Sequence, residues 1–164
     1  MDFNANHLRM FLAFNQRNVI GEHDAYEALV HESGADRNKV KSFINIGLNN
    51  ESFETTQAAV LRNEPRITHE ESNQISKAFN NLYPDLNLHC GFALTAMQLE
   101  GLILKKVLIA GARKGILALP VHDAVAVEFD HQNWAKDAME DAWKSVMSEF
   151  YPLASAAVRI SFSS

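Results

Sequence analysis

The sequence predicts an α+β fold that is rich in helix and carries one small antiparallel sheet. Apolar residues recur at helical spacing over most of residues 6–112. The last third contains β-branched stretches that alternate in polarity, at residues 116–129 and 157–162. No repeat, biased tract or linker separates these parts, so we expect one domain over the 164 residues.

The composition is that of a globular domain. Hydrophobic residues make up 47% and charged residues 21% of the chain, which argues against disorder and low complexity. The single cysteine, Cys90, excludes an internal disulfide framework and a zinc site of several cysteines, and it favours a reducing compartment. The formal charge of −5 argues against a nucleic-acid coat bound by charge alone, although it permits a local basic groove.

We expect neither a signal peptide nor a membrane span. The first residues lack a basic stretch followed by an apolar one. The longest apolar stretch, residues 99–112, is interrupted by Glu100, Lys105 and Lys106, so it does not predict a segment that crosses a bilayer.

Helices are expected first along the chain. In residues 6–16, Leu8, Phe11 and Leu12 fall on one helical face. Start signals mark later helices, because Asp36 is a good N-cap and Thr68 stands three residues before Glu71, the spacing of a capping box. The expected helices cover residues 6–16, 25–32, 36–47, 52–62, 68–83, 92–112 and 133–150.

The last third adds the sheet. Residues 92–112 predict a long, largely buried helix, and residues 133–150 predict an amphipathic one. Between them, residues 116–120 and 121–129 are β-like, and residues 157–162 alternate as a terminal strand would. We therefore expect the two middle stretches to form an antiparallel hairpin, with the terminal strand in the same sheet and the long helix packed on one face.

Two carboxylates are the first candidates for chemistry. Asp123 follows His122 in an otherwise apolar strand junction, where an ionised carboxylate is costly unless a metal or another cation compensates it. The His-Asp pair of metal phosphohydrolases is one interpretation, although that chemistry needs further ligands on helices. An ordinary turn residue at a hairpin tip is another. Asp2 leads straight into the first helix, as an N-cap or a residue of a frayed terminus also would.

Polar residues on two predicted helices are the next candidates. Arg37 and Lys41 are four residues apart on one face, with Asn45 and Asn49 following on roughly the same side. This face suits phosphate binding, and a solvated face has the same pattern. Gln98 lies in the long apolar helix, where a buried amide needs a partner in backbone, water or nucleic acid.

Taken in chain order, these features resemble the palm of family A DNA polymerases and of the related single-subunit phage RNA polymerases. Residues 2–9, Asp-Phe-Asn-Ala-Asn-His-Leu-Arg, resemble motif A, an Asp followed by an aromatic residue and a helix that carries an Arg. Arg37 and Lys41, followed by residues 43–49, resemble motif B. Gln98 resembles the Gln of the polymerase helix that touches the template–primer groove.

The hairpin and the end of the chain extend the resemblance. Residues 121–123, Val-His-Asp, resemble motif C, and the helix and strand after them match the ending of the family. Residues 119–123, Leu-Pro-Val-His-Asp, are also similar to the ends of a group of uncharacterised phage and plasmid proteins. The resemblance covers nearly the whole chain and implies a single palm-like domain, with a minimal helical fingers-like region at about residues 20–85.

The resemblance implies a template-directed nucleotidyltransferase that makes DNA or RNA in the cytoplasm of a bacterial host or phage-infected cell. Asp2 and Asp123 would be catalytic, holding Mg²⁺ or Mn²⁺ for two-metal phosphoryl transfer with their carboxylates roughly 4–7 Å apart. The partners would be a nucleic-acid template–primer, nucleoside triphosphates and the rest of a larger polymerase. The nucleotide-binding residues would be Arg37, Lys41, Asn45 and Asn49, and the nucleic-acid-binding residues would be Gln98, His122 and Arg9.

Departures from the family pattern define the alternatives. Ala124 follows the Asp of motif C, where DNA polymerases often carry a second acid, and the aromatic residue of motif B is replaced by Asn45 or Asn49. The spacings between motifs are short, and Asp2 leaves no room for the strand that supports motif A. We therefore expect the carboxy-terminal part of a larger polymerase or a reduced relative. The alternative functions are a degenerate palm that binds nucleic acid or a replication partner, and a small helical interaction domain.

Overall fold

The computed structural model describes residues 2–3, 5–17, 23–150 and 160–161. Its contacts divide the chain into two compact units, Met1–Glu22 with Thr95–Ser164, and His23–Leu94. No helix in these described residues is both long and apolar enough to cross a membrane. In chain order the elements are β1 (Asp2–Phe3), α1 (Asn6–Phe14), α2 (Glu27–Ser33), α3 (Arg37–Asn49), α4 (Phe53–Asn63), α5 (His69–Leu82), α6 (Ala93–Lys114), β2 (Leu119–Val121), β3 (Ala124–Ala126), a 3-10 turn (Phe129–His131), α7 (Gln132–Phe150) and β4 (Ile160–Ser161).

The unit His23–Leu94 is helical, and its helix boundaries follow from local signals. The Asp36 side chain accepts hydrogen bonds from two backbone N–H groups at the start of α3. Thr68 and Glu71 form the capping box at the start of α5. Gly34 ends α2 with a φ of 68°, a left-handed conformation that glycine adopts without a steric penalty. Both predicted helix starts are confirmed.

Apolar side chains fill the interior of this unit. Helix α2 packs against α5, and α3 packs against α4. Phe43, Ile44 and Leu48 of α3 are fully buried. Gly47 lies so close to Leu88 that a Cβ there would stand 2.8 Å from its side chain, so a larger residue would force Leu88 to move. Packing therefore anchors one side of α3 and leaves another side for its polar residues.

The sheet has four antiparallel strands in the order β2-β3-β1-β4. The predicted α+β class is confirmed, and so are the hairpin and the position of a terminal strand in the same sheet. The sequence did not predict the amino-terminal strand. Strand β1 lies between β3 and β4, with Asp2 opposite Ala124 and Ser161. The expectation that Asp2 leaves no room for a strand was wrong, since two residues suffice to join their neighbours.

The hairpin strands are shorter than the sequence suggested. The turn falls on His122 and Asp123, so Val121 ends the first strand instead of beginning the second. Pro120 has no N–H to donate and is tolerated because β2 is an edge strand. Phe129 lies in the 3-10 turn and is 81% exposed. Of the predicted strand 157–162, residues 160–161 form β4, and the rest lies outside the described residues.

Helix α6 was expected to be largely buried, and this was wrong. One side of it is buried, with Ala96, Ile103 and Val107 at 0% exposure. Another side carries apolar residues in solvent, with exposures from 40% to 73%: Leu94, Met97, Leu102 and Ile109. The sequence places apolar residues all around this helix, and residue type alone does not tell which side packs against the fold.

Candidate functional site

Asp123 lies in the two-residue turn between β2 and β3, where it is half-buried. His122, the first residue of the turn, is exposed and has a φ of 54°. A residue with a Cβ in this left-handed region costs about 1 kcal/mol or more, and such strain clusters at functional sites. The turn therefore presents a carboxylate and an imidazole on a strained backbone.

The sheet brings the position of Asp2 next to this turn. Asp2 of β1 lies opposite Ala124, the residue that directly follows Asp123. Neighbouring strands are about 4.8 Å apart, so the backbone of Asp2 lies on the strand next to β3, which begins directly after Asp123. The expected distance between their carboxylates stays a prediction.

Beside the hairpin, a chain of hydrogen bonds links three helices. Trp143 of α7 donates from Nε1 to Asn6 Oδ1 over 3.1 Å. Asn6 in turn donates from Nδ2 to Glu100 Oε1 over 2.7 Å. The same Glu100 oxygen lies 3.0 Å from His7 Nε2. Asn6 is only 5% exposed, so its amide is satisfied as a buried polar group must be.

His7 connects this chain electrostatically to the hairpin turn. The hydrogen bond with Glu100 raises the pKa of His7, burial opposes that rise, and the negative charges of Glu100 and Asp123 add to it. His7 therefore keeps its proton to a higher pH than an ordinary histidine. Its positive charge is near enough to Asp123 for the two to interact.

The donor chemistry of the turn suits a hard divalent cation. Within the described part of the chain, no group of three or more His, Cys, Asp or Glu side chains is arranged to hold a metal ion. Mg²⁺ is usually held by one or two carboxylates together with substrate phosphates and water. Asp123 supplies a carboxylate at the turn, and the backbone of Asp2 lies on the strand that pairs with β3, so the residue types present fit an Mg²⁺ or Mn²⁺ ion held jointly with a nucleotide.

Two residues that the sequence assigned to nucleic-acid binding differ in their exposure to solvent. Gln98 is exposed on α6, so it is not the buried amide that the apolar helix suggested, and it is accessible to a ligand. Arg9 is only 1% exposed. Its side chain is buried within the fold, so we leave Arg9 out of the proposed nucleic-acid interface.

Two basic residues of α3 differ in their surroundings. Arg37 donates from Nε to Asp24 Oδ2, and its guanidinium lies over the Tyr26 ring, 5.5 Å from the ring centroid. Lys41, one turn further along α3, is exposed and has no ion pair or hydrogen bond among the described residues. One cation is thus held by an acidic partner, and the other is exposed on the surface.

Two asparagines continue this side of α3. The Tyr26 hydroxyl donates to Asn45 Oδ1 over 3.4 Å. Asn49 is exposed and donates from Nδ2 to the Asn45 carbonyl oxygen over 2.9 Å. Asp24 and Tyr26 were missed by sequence reasoning because no local pattern links them to α3, which begins about ten residues later.

The sequence-predicted residues thus fall into two groups. Asp2, Asp123, His122 and Gln98 belong to the unit Met1–Glu22 with Thr95–Ser164, and the α3 residues belong to His23–Leu94. No family model, curated protein or solved structure matches this chain. The chemistry of the two groups is therefore the basis on which a function is proposed.

Proposed function

We propose that this chain is a template-directed nucleotidyltransferase of the polymerase palm type. The observation that carries the proposal is the register of the sheet, in which Asp2 lies opposite Ala124 and so beside Asp123 at the hairpin turn. Two-metal phosphoryl transfer requires carboxylates from neighbouring segments of the chain, and the register brings the backbone segments of these two residues next to each other. The exposed imidazole of His122 lies next to Asp123 in the same turn.

Each group of residues has a distinct task in this reaction. Bound Mg²⁺ would activate the attacking 3′-hydroxyl and stabilise the leaving pyrophosphate. Asp2 and Asp123 would hold the metal. On α3, Arg37 would bind phosphate as a fork and Lys41 would bind it as a point charge. The template–primer contacts would come from Gln98 and His122. Both side chains are exposed and belong to the unit that also contains Asp123.

One observation favours a second candidate, a palm that binds nucleic acid or a replication partner without catalysis. The raised pKa of His7 keeps positive charge near Asp123. A protonated histidine competes with a metal ion because the same negative charge stabilises both. The first candidate therefore requires catalysis and metal binding, and the second requires neither.

A primer-extension assay with a labelled primer–template, nucleoside triphosphates and Mg²⁺ or Mn²⁺ tests the proposal. We expect extension by the wild-type chain and a loss of about a hundredfold or more in Asp123→Asn, which keeps the side-chain shape and removes the charge. Asp137→Asn is the matched control, because Asp137 is an exposed carboxylate of α7 with no recorded partner in the described residues. This control should extend primers as the wild type does.

Three outcomes would change the conclusion. Tight binding of the primer–template without extension supports the second candidate. Extension that is equal in Asp123→Asn and the wild type removes Asp123 from the reaction. Neither binding nor extension by the wild type contradicts both candidates.

A further inference from the structure

We propose that Asp24 and Tyr26 are positioning residues for the polar face of α3. Asp24 orients Arg37 toward a phosphate group, and Tyr26 holds Arg37 and Asn45 in register along the helix. This inference rests on the proposed function and adds the residues that prepare its nucleotide site. The polar face consists of Arg37, Lys41, Asn45 and Asn49.

Asp24 is a fixed acceptor. Its Oδ1 accepts a hydrogen bond from the Tyr26 backbone N–H over 3.2 Å. Its backbone carbonyl accepts from the Glu27 N–H over 3.0 Å. These two bonds tie Asp24 to the first residues of α2, and Oδ2 is left to accept from Arg37 Nε. A carboxylate held by its own backbone in this way fixes the direction of the guanidinium that it binds.

The geometry leaves the outer edge of Arg37 for a ligand. Asp24 occupies only Nε, and the two terminal amino groups of Arg37 have no acceptor within the described part of the chain. The side chain is 40% exposed, so these amino groups can be reached from solvent. Two parallel N–H donors on a planar guanidinium match two oxygens of a phosphate. The Asp24 carboxylate also raises the pKa of Arg37, which secures its charge.

Tyr26 contacts two residues of the polar face. It is 1% exposed, so its ring cannot change position without disturbing the core. The Arg37 guanidinium lies over this ring, and the hydroxyl donates to Asn45 Oδ1. Arg37 and Asn45 are two helical turns apart, which is about 12 Å. One buried ring therefore contacts both Arg37, the proposed phosphate ligand, and Asn45, which we assign to the nucleoside.

The contrary role for Asp24 is inhibition, in which its carboxylate takes the place of a phosphate. The observed contact favours positioning because Asp24 engages the inner nitrogen of Arg37 and not the outer pair. The two roles predict opposite effects on affinity. Removal of an inhibitor strengthens ligand binding, whereas removal of an orienting group weakens it, since the ligand must then order a flexible arginine.

Equilibrium binding of two probes, inorganic triphosphate and a nucleoside triphosphate with Mg²⁺, tests the proposal. We expect Asp24→Asn to weaken both probes by about three- to tenfold, the cost of ordering one long side chain. Tyr26→Phe keeps the ring under Arg37 and loses the bond to Asn45. We therefore expect it to weaken the nucleoside triphosphate alone.

Two further variants complete the design. Glu27→Gln makes the same change of charge at an exposed position of α2 and should bind both probes as the wild type does. Arg37→Lys keeps the charge and loses both the Nε bond and the fork, so it should weaken both probes even if Asp24→Asn does not fold. Thermal unfolding of each variant shows that affinity is compared between folded proteins.

The outcomes separate this inference from the proposed function. Tighter binding in Asp24→Asn overturns positioning in favour of inhibition. Unchanged affinity in Asp24→Asn and Tyr26→Phe, together with weaker binding in Lys41→Ala, overturns the inference and leaves the proposed function standing. A wild-type chain that binds neither probe overturns both.

Discussion

Individual residues of the site differ in how far the sequence could identify them. Asp123 stands out locally, because a carboxylate inside an apolar, β-branched stretch is uncommon. Asn6 and Glu100 are 94 positions apart in the chain, so their hydrogen bond depends on the fold and no spacing rule reveals it. Glu100 did carry a signal as the first charged residue of an apolar helix. Arg9 carried none, since a buried arginine looks like an exposed one in the sequence.

The ion pair of His7 and Glu100 makes stability depend on pH. The folded state raises the pKa of His7 above the ordinary value of 6.5. Its stabilisation is therefore fully present below about pH 6.5 and is lost as the pH rises through the higher folded pKa. We expect Glu100→Gln to lower the pKa of His7 toward the ordinary value and to flatten this dependence. NMR titration of the His7 ring and urea unfolding on both sides of this range measure the two effects.

Glu128→Gln is the control for this prediction, because Glu128 is exposed and has no recorded partner among the described residues. It should leave the titration of His7 unchanged. An identical His7 titration in Glu100→Gln and the wild type would show that the pair is not ionic.

At the scale of elements, local chemistry predicted the helices better than the strands. Asp36 and the pair Thr68 and Glu71 mark helix starts through bonds within a few residues. Strand β1 has two residues, too few for an alternating pattern, and it exists because β3 and β4 pair with it. The alternation of polar and apolar residues predicted the hairpin, but it did not predict the position of the turn.

One indole joins α7 to α1 through a buried hydrogen bond. Trp143 is fully buried, and its N–H satisfies the Asn6 carbonyl oxygen. Trp143→Phe fills most of the same volume and leaves that oxygen without its donor. We expect a loss of about 1–3 kcal/mol in the free energy of unfolding, measured by urea denaturation.

Trp134→Phe provides the comparison on the same helix. Trp134 is half-buried and has no recorded hydrogen bond in the described residues, so its replacement should cost clearly less. Equal losses for the two variants would mean that packing, and not the Trp143 hydrogen bond, determines the effect.

At the scale of the whole molecule, the two compact units do not follow the order of the chain. The unit Met1–Glu22 with Thr95–Ser164 is assembled from both ends of the chain, and His23–Leu94 is inserted between them. Composition and linkers could not reveal this division, because α6 continues across the boundary between Leu94 and Thr95. Asp2 and Asp123 belong to the first unit, and the basic residues of α3 belong to the second.

Binding of Mn²⁺ in the presence of a nucleoside triphosphate, followed by the loss of the free-ion signal in electron paramagnetic resonance, tests the central claim most directly. The account predicts saturable binding by the wild type, equal binding by the Asp137→Asn control, and loss of that binding in Asp123→Asn, because the proposal assigns the ion to the Asp123 carboxylate of the hairpin turn. Equal Mn²⁺ affinity in Asp123→Asn and the wild type would contradict the account.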